Sequence, residues 1–145
     1  MKIYMDVCCL CRPFDDQTMG RIRLEVTAVQ EIIRRCASRE YILVTSEAIT
    51  EEISKIPDIW KRLRVEKIVS VAIEQVLIDE DIIARMHEII AMGGGAMDSL
   101  HIACAERAGA VLLTTDDGMI TFFKMHQNIQ VHIGNPVTWL KEENK

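Results

Sequence analysis

The chain has 145 residues, of which 49% are hydrophobic, so it fits one domain (1–145) with a sizeable core. No apolar run approaches the roughly 20 residues that a membrane span needs, and Asp6 interrupts the N-terminal segment too early for a secretory signal, so we expect a cytoplasmic protein without membrane contact. Residues 1–67 carry 12 basic and 11 acidic side chains, whereas residues 68–145 carry 5 and 11, and this uneven net charge of −5 neither supports nor excludes RNA as a partner.

Apolar runs separated by caps and breakers predict five strands that alternate with helices. The strands are predicted at 2–5, 41–45, 110–114 and 129–133, with a further strand within 68–73. The helices are predicted at 20–38, 46–57, 58–67, 79–92 and 96–108, and from 136 onward. Ser46 and Asp79 suit helix N-caps, Gly93 and Gly109 suit helix ends, and Pro136 suits a first helical position.

The predicted strands are continuous apolar runs, with no alternation of apolar and polar residues. Such runs are typical of a parallel sheet that is covered on both faces. We therefore predict the α/β class, as a three-layer α/β/α sandwich around a central, mostly parallel five-stranded sheet.

Four acidic residues are expected at one edge of this sheet. Asp6 directly follows the first strand, and Asp116 follows the fourth. Glu52 lies in the first two turns of the helix after the second strand, and Asp98 opens the helix that leads into the fourth. Because functional groups gather beyond the carboxyl ends of parallel strands, these four side chains are expected to converge.

Converging carboxylates repel one another unless a positive ion lies between them. Mg²⁺ and Mn²⁺ suit that role because both prefer oxygen ligands. A metal held in this way can activate water and stabilise a phosphate during in-line displacement. The predicted chemistry is therefore metal-dependent cleavage of a phosphodiester, with one or two ions.

Each of these acids also has a purely structural interpretation. Asp6 and Asp116 could serve as turn or capping residues, and Asp98 could cap its helix. Glu52 could lie on a solvated helix face. The competing candidates for the same ligand positions are Glu47, Glu51 and Asp117.

The order and spacing of the acids resemble the PIN-domain family, including the VapC-like toxins of toxin–antitoxin pairs. The resemblance covers essentially the whole chain, although each motif is short. The matching motifs are Ile3-Tyr4-Met5-Asp6, Ser46-Glu47-Ala48-Ile49-Thr50-Glu51-Glu52-Ile53, Met97-Asp98-Ser99-Leu100-His101-Ile102-Ala103 and Thr114-Thr115-Asp116.

The resemblance implies a five-stranded parallel sheet between helices and an endoribonuclease that cuts RNA. It also implies that Mg²⁺ or Mn²⁺ is bound by four catalytic acids, namely Asp6, Glu52, Asp98 and Asp116. Thr114 would support the site by hydrogen bonding, next to the substrate. An antitoxin protein as partner and a homodimer are further implications.

The chain departs from the family pattern directly after Asp6. The family often has Asp-Thr-Asn there, whereas this chain has Asp6-Val7-Cys8. The missing hydroxyl and amide would otherwise support the metal ligands, and such losses can cost about 10–100-fold in affinity or activity. The alternative function is therefore a catalytically weak PIN-like module that binds RNA or a partner protein.

Basic residues near the predicted site are candidates for contact with RNA. Arg12 lies in the loop just past Asp6 and is placed to meet a substrate phosphate. The cluster Lys61-Arg62-Arg64 is interpreted as a solvated helix face, with RNA or partner contact as the alternative.

The cysteines suggest two rival functions. Five cysteines, three of them within four positions, favour reduced thiols over a disulfide framework. Zinc ligands could come from Cys8, Cys11, His101 and Cys104, and residues 8–11 resemble a thiol redox motif. Nothing else in the chain supports either function. Receiver domains and haloacid-dehalogenase-like phosphatases are disfavoured because the acids that they need after the first or third strand are missing.

Overall fold

The computed structural model of the protein describes residues 1–145 and contains five strands and eight α-helices. The strands are β1 (Lys2–Met5), β2 (Ile42–Ser46), β3 (Glu74–Val76), β4 (Val111–Leu113) and β5 (Ile133–Gly134). The helices are α1 (Val7–Cys11), α2 (Gly20–Ala37), α3 (Glu47–Ser54), α4 (Ile59–Val69), α5 (Glu80–Ala91), α6 (Ala96–Ala108), α7 (Asp117–Met125) and α8 (Pro136–Glu143), and a 3-10 turn spans Arg12–Phe14.

The five strands form one sheet in the order β3-β2-β1-β4-β5. All four strand pairings are parallel, so the predicted α/β class is confirmed and the sheet is wholly rather than mostly parallel. The chain runs from β1 outward to β2 and β3, and then crosses back to β4 on the other side of β1. The carboxyl ends of β1 and β4 therefore lie side by side at the switch in strand order, which is where α/β proteins build their sites.

The centre of the sheet is fully buried, which explains why its strands are apolar without alternation. Ile3, Tyr4 and Met5 of β1 lie in the core, as do Leu112 and Leu113 of β4. None of the helices is both long enough and apolar enough to cross a membrane.

Several predicted helix ends are confirmed. The Ser46 hydroxyl accepts from Ile49 N–H, and the Asp79 carboxylate accepts from Ile82 N–H, so both residues cap the helices that follow them. Gly109 ends α6 in the left-handed region at φ 66°, where a side chain would be strained. Pro136 opens α8 as expected.

Two strands lie later in the chain than predicted. Ile68 and Val69 form the last turn of α4, and β3 starts only at Glu74, because a short apolar run does not separate helix from strand by itself. Residue 133 rather than residue 129 begins β5, since the backbone N–H of Gln130 donates to the Glu106 carboxylate at 2.8 Å instead of joining the sheet.

Two helices, α1 and α7, are absent from the sequence prediction. Each starts directly after an acid at a strand end, Asp6 for α1 and Asp116 for α7, whose carboxylate caps it. The caps allow helices to form in segments that have no strong helical periodicity of their own.

Candidate active site

Asp6 is fixed by two hydrogen bonds at the carboxyl end of β1. Its Oδ1 accepts from the backbone N–H of Cys9 at 3.0 Å, which caps α1, and its Oδ2 accepts from the Thr114 hydroxyl at 2.6 Å. Asp6 is only 5% exposed, and Thr114 is fully buried. Thr114 therefore supports Asp6 from a buried position, and its place next to the substrate stays a prediction.

Asp116 follows β4 and is tied to the same threonine. Its backbone N–H donates to the Thr114 hydroxyl oxygen at 3.0 Å, and its Oδ1 accepts from Gly118 N–H at 2.8 Å. The capping interpretation thus holds for Asp6 and Asp116. It does not exclude a ligand role for Asp116, whose Oδ2 makes no hydrogen bond.

Asp98 lies in the first turn of α6, on the third helical residue. Gly95 is the N-cap of this helix, so the idea that Asp98 caps it is wrong. The Asp98 carboxylate makes no hydrogen bond or ion pair within the protein. Its pKa is raised by burial and by the neighbouring charges of Asp116 and Glu52, with His101 acting in the opposite direction.

Glu52 lies on α3 and is held by a buried chain of polar side chains. His101 Nε2 is hydrogen-bonded to Glu52 Oε1, and His101 Nδ1 lies 2.7 Å from the Tyr4 hydroxyl. The Tyr4 hydroxyl lies 2.7 Å from the Ser46 hydroxyl, which also caps α3. His101 is buried, and its hydrogen bond orients Glu52.

The three competing acids are engaged elsewhere. Glu47 accepts from Ile78 N–H, and the exposed Glu51 pairs with Lys55. Asp117 forms a two-bond ion pair with Arg21, with both distances at 2.8 Å.

The four predicted acids lie near the same edge of the sheet, where the charge of Asp98 acts on Asp6 and the charges of Asp116 and Glu52 act on Asp98. The pKa of Asp6 is raised to about 6, mainly by burial and in smaller part by the charge of Asp98, while the hydrogen bonds from Thr114 and Cys9 oppose the rise. At the mouth of the site, burial raises the pKa of the Cys8 thiol to about 12, and the charges of all four acids add to the effect.

Two clefts reach this cluster, and Asp116 borders both. One, of about 480 Å³, is also lined by Cys8, Arg12 and Glu52. The other, of about 190 Å³, runs past Asp98 and the glycines at 93–95. A larger cavity of about 580 Å³ near Trp139 touches none of the four acids.

The chemistry of the donor set fits a hard divalent cation, because every candidate ligand is a carboxylate oxygen. No group of three or more His, Cys, Asp or Glu side chains is placed to hold a metal ion as a protein cage. Mg²⁺ usually keeps several waters and takes only one or two carboxylates from the protein, so such a cage is not required. Asp6 and Asp98 are the buried and half-buried members of the set, and Glu52 and Asp116 stand at the clefts.

Arg12 forms ion pairs within the protein and also lines the acid cleft, and its contact with a substrate phosphate stays a prediction. Its guanidinium donates to Asp15 and to Glu25, both at 2.9 Å. Glu25 is buried in α2 and also accepts from Arg21 and Asn135. Glu25 was not singled out from the sequence, because only Arg21 lies at a helical spacing from it, whereas Arg12 and Asn135 are 13 and 110 positions away.

The thiols do not form a zinc or redox centre. All five cysteines are free. Burial is the largest effect on each of the thiols of Cys8, Cys9 and Cys11, and it raises their pKa values, so the reactive thiolate forms are disfavoured. His101 is occupied by Tyr4 and Glu52.

Residues 17–123 match the sequence profile of the PIN domain, a span that includes Glu52, Asp98 and Asp116 and follows Asp6. The chain belongs to the PIN domain family. The matched span is well over half of this chain, so the PIN resemblance noted from the motifs is confirmed. No curated protein matched the chain significantly.

Solved structures share the fold of this PIN domain. FitAcB from Neisseria gonorrhoeae aligns with a TM-score of 0.61 at 17% identity, covering 94% of this chain and 98% of that one. VapBC2 from Rickettsia felis, bound to a DNA fragment from its promoter, aligns at 0.63 and 16%, covering 93% and 98%. PAE2754 from Pyrobaculum aerophilum aligns at 0.59 and 12%, covering 100% and 91%. At these identities the likeness shows the fold.

Proposed function

We propose that this PIN domain is an Mg²⁺- or Mn²⁺-dependent endoribonuclease that hydrolyses RNA phosphodiester bonds in the cytoplasm. The observation that carries the proposal is the position of acids beside the switch in strand order, where Glu52 and Asp116 line one cleft and Asp98 and Asp116 line another. PIN domains are generally nucleases and typically bind divalent metals, which supports the same assignment.

The four acids divide into two roles. Asp6 and Asp98 would hold the principal ion, and Glu52 and Asp116 would orient water or hold a second ion at the clefts. When bound, the ion lowers the pKa of water and offsets charge on the phosphate. Thr114 keeps Asp6 turned toward the site through its 2.6 Å hydrogen bond, and His101 does the same for Glu52.

A catalytically weak RNA-binding or partner-binding module is the second candidate. Val7 and Cys8 offer neither the hydroxyl nor the amide of the usual family pattern, and the raised pKa of Cys8 leaves it a neutral thiol beside the acids. The two candidates differ in metal binding, since a functional site stabilises the fold by RT ln(1 + [L]/Kd). A higher melting temperature at millimolar Mn²⁺ in the wild type, absent in Asp98→Asn, supports the nuclease.

A toxin role is part of the proposal. The structural relatives named VapBC2 and FitAcB support it through the shared fold, as does the VapC-like motif order. An antitoxin protein would then bind and silence this chain, and a homodimer is the expected state of the free enzyme. Induced expression in bacteria should arrest growth for the wild type and not for Asp98→Asn, and growth arrest by both would contradict a nuclease toxin.

A further inference from the structure

Helix α4 carries positive charge that the rest of the protein does not neutralise. It contains Lys61, Arg62, Arg64 and Lys67 against the single acid Glu66, in a chain whose net charge is −5. Nine of the 17 Lys and Arg side chains form ion pairs, and none of the four on α4 is among them. Half of the unpaired cations of the protein therefore lie on this one helix.

The same helix exposes an aromatic side chain. Trp60 is 71% exposed, whereas the other tryptophan, Trp139, is 6% exposed. Ile59 and Leu63 are exposed as well, and Val65 is the one buried residue of the helix. An indole face that projects among unpaired cations suits a nucleobase, because bases stack on aromatic rings while phosphates take the positive charges.

The exposed tryptophan lies next to the acid cleft. Trp60, Lys61 and Arg64 line a groove of about 290 Å³ together with Asp15, and Asp15 also lines the cleft that holds Glu52 and Asp116. The charge of Lys61 reaches Cys11, whose pKa it lowers against the larger effect of burial, and Cys11 borders the acid cleft too. The groove and the proposed active site are thus neighbours along one surface.

We propose that α4 is a platform for single-stranded RNA, on which one base stacks against Trp60 while Lys61 and Arg64 bind the flanking phosphates. The inference rests on the proposed nuclease function and names how its substrate is held. Arg64 follows Trp60 by four residues and Lys67 follows it by seven, so these two cations extend along the same helical face as the indole. Phosphates would neutralise these charges, and the strand would continue over Asp15 into the acid cleft.

Binding is measured without cleavage, by the fluorescence anisotropy of a labelled oligouridine of about 12 nucleotides in EDTA. Trp60→Ala should weaken binding about tenfold or more, and Trp60→Phe should keep most of the affinity because it keeps an aromatic face. Lys61→Ala with Arg64→Ala should weaken binding and flatten the salt dependence, by about 0.7 in log–log slope for each cation removed. Lys124→Ala with Lys141→Ala, which removes two other unpaired cations, is the matched control and should bind like the wild type.

The platform would be overturned if Trp60→Ala and the double variant Lys61→Ala with Arg64→Ala bound oligouridine like the wild type. It would also be overturned if the wild type did not bind oligouridine. Light scattering tests whether α4 is instead a protein interface. If the wild type is a dimer that Trp60→Ala dissociates without changing RNA affinity, the platform is overturned.

The two proposals can fail separately, because the binding assay contains EDTA and does not require cleavage. A wild type that binds oligouridine as predicted but cuts no RNA in Mn²⁺ would overturn the nuclease proposal and leave the platform intact. If the wild type cuts RNA and the α4 variants bind and cut RNA as well as the wild type does, the platform is overturned and the nuclease proposal stands.

Discussion

The Thr114 hydroxyl donates to Asp6 Oδ2 at 2.6 Å, so a residue at the end of β4 sets the carboxylate at the end of β1. The same hydroxyl accepts from Asp116 N–H at 3.0 Å. One buried oxygen thereby links two of the proposed ligands, and it also lowers the pKa of Asp6 against the effect of burial.

Thr114→Val should weaken metal binding and destabilise the fold by about 1–3 kcal/mol, since it removes a hydrogen bond to a buried carboxylate. Without that bond Asp6 holds its proton more tightly, so the proton competes better with Mn²⁺. Titration calorimetry with Mn²⁺ and urea unfolding measure the two effects. Thr45→Val is the matched control, because the buried Thr45 hydroxyl has no partner, and a loss of Mn²⁺ affinity in both variants would contradict the assigned role of Thr114.

Stability in EDTA should depend on pH through Asp6. Its pKa is 3.8 in the reference state and about 6 in the fold, with burial as the main cause. The folded protein therefore binds this proton more tightly than the unfolded chain, so the stabilisation is complete below pH 3.8 and is lost as the pH rises through about 6. Asp6→Asn should gain melting temperature relative to the wild type between pH 4 and pH 8, and a constant or opposite difference would contradict the raised pKa.

His101 should act on the metal site through Glu52. Replacing it with Leu removes the hydrogen bond that orients Glu52, and losses of this kind typically cost about 10–100-fold in metal affinity or activity. Tyr4→Phe cuts only the outer link of the chain and should cost less. The Mn²⁺ dissociation constants of both variants test this order, and equal affinities in His101→Leu and wild type would show that the histidine is only a core residue.

Gly94 should tolerate no side chain. A Cβ there would lie 2.5 Å from the Ser99 hydroxyl and 3.1 Å from the Ile89 carbonyl oxygen, at the junction of α5 and α6. Gly94→Ala should lower the free energy of unfolding by about 1–3 kcal/mol, as overpacking usually does. It should also disturb Asp98, which precedes Ser99 in α6. Urea unfolding beside Gly95→Ala, whose Cβ would meet only Asp98 Oδ2 at 3.8 Å, provides the comparison. Equal stability of the two variants would contradict the steric account.

The main features of the fold could be predicted because they depend on residues that are close together along the chain. The apolar run at 2–5, the caps Ser46 and Asp79 and the stop at Gly109 act within one turn or strand, so the sequence displays them directly. The acids could be proposed as a site because the carboxyl ends of parallel strands meet at one edge of a sheet.

Features that depend on distant contacts were not predicted. The Glu25 cluster joins residues up to 110 positions apart, and the Tyr4–His101 contact joins residues 97 apart. The ion pair between Arg12 and Glu25 was not predicted, because Glu25 lies on another helix. The sequence offered one signal for a role of His101 at the site. His101 follows Asp98 by three residues, which places both side chains on one face of α6.

The most direct test of the central claim is cleavage of a mixed RNA panel by the purified protein in Mn²⁺ and in EDTA. Asp98→Asn is the active-site variant, and Glu51→Gln is its control, because Glu51 is an exposed acid that pairs with Lys55 away from the cluster. We predict that the wild type and Glu51→Gln cut RNA in Mn²⁺ and not in EDTA, and that Asp98→Asn does not cut. Cleavage in EDTA, or cleavage by Asp98→Asn at the wild-type rate, would contradict a metal-dependent nuclease built on these four acids.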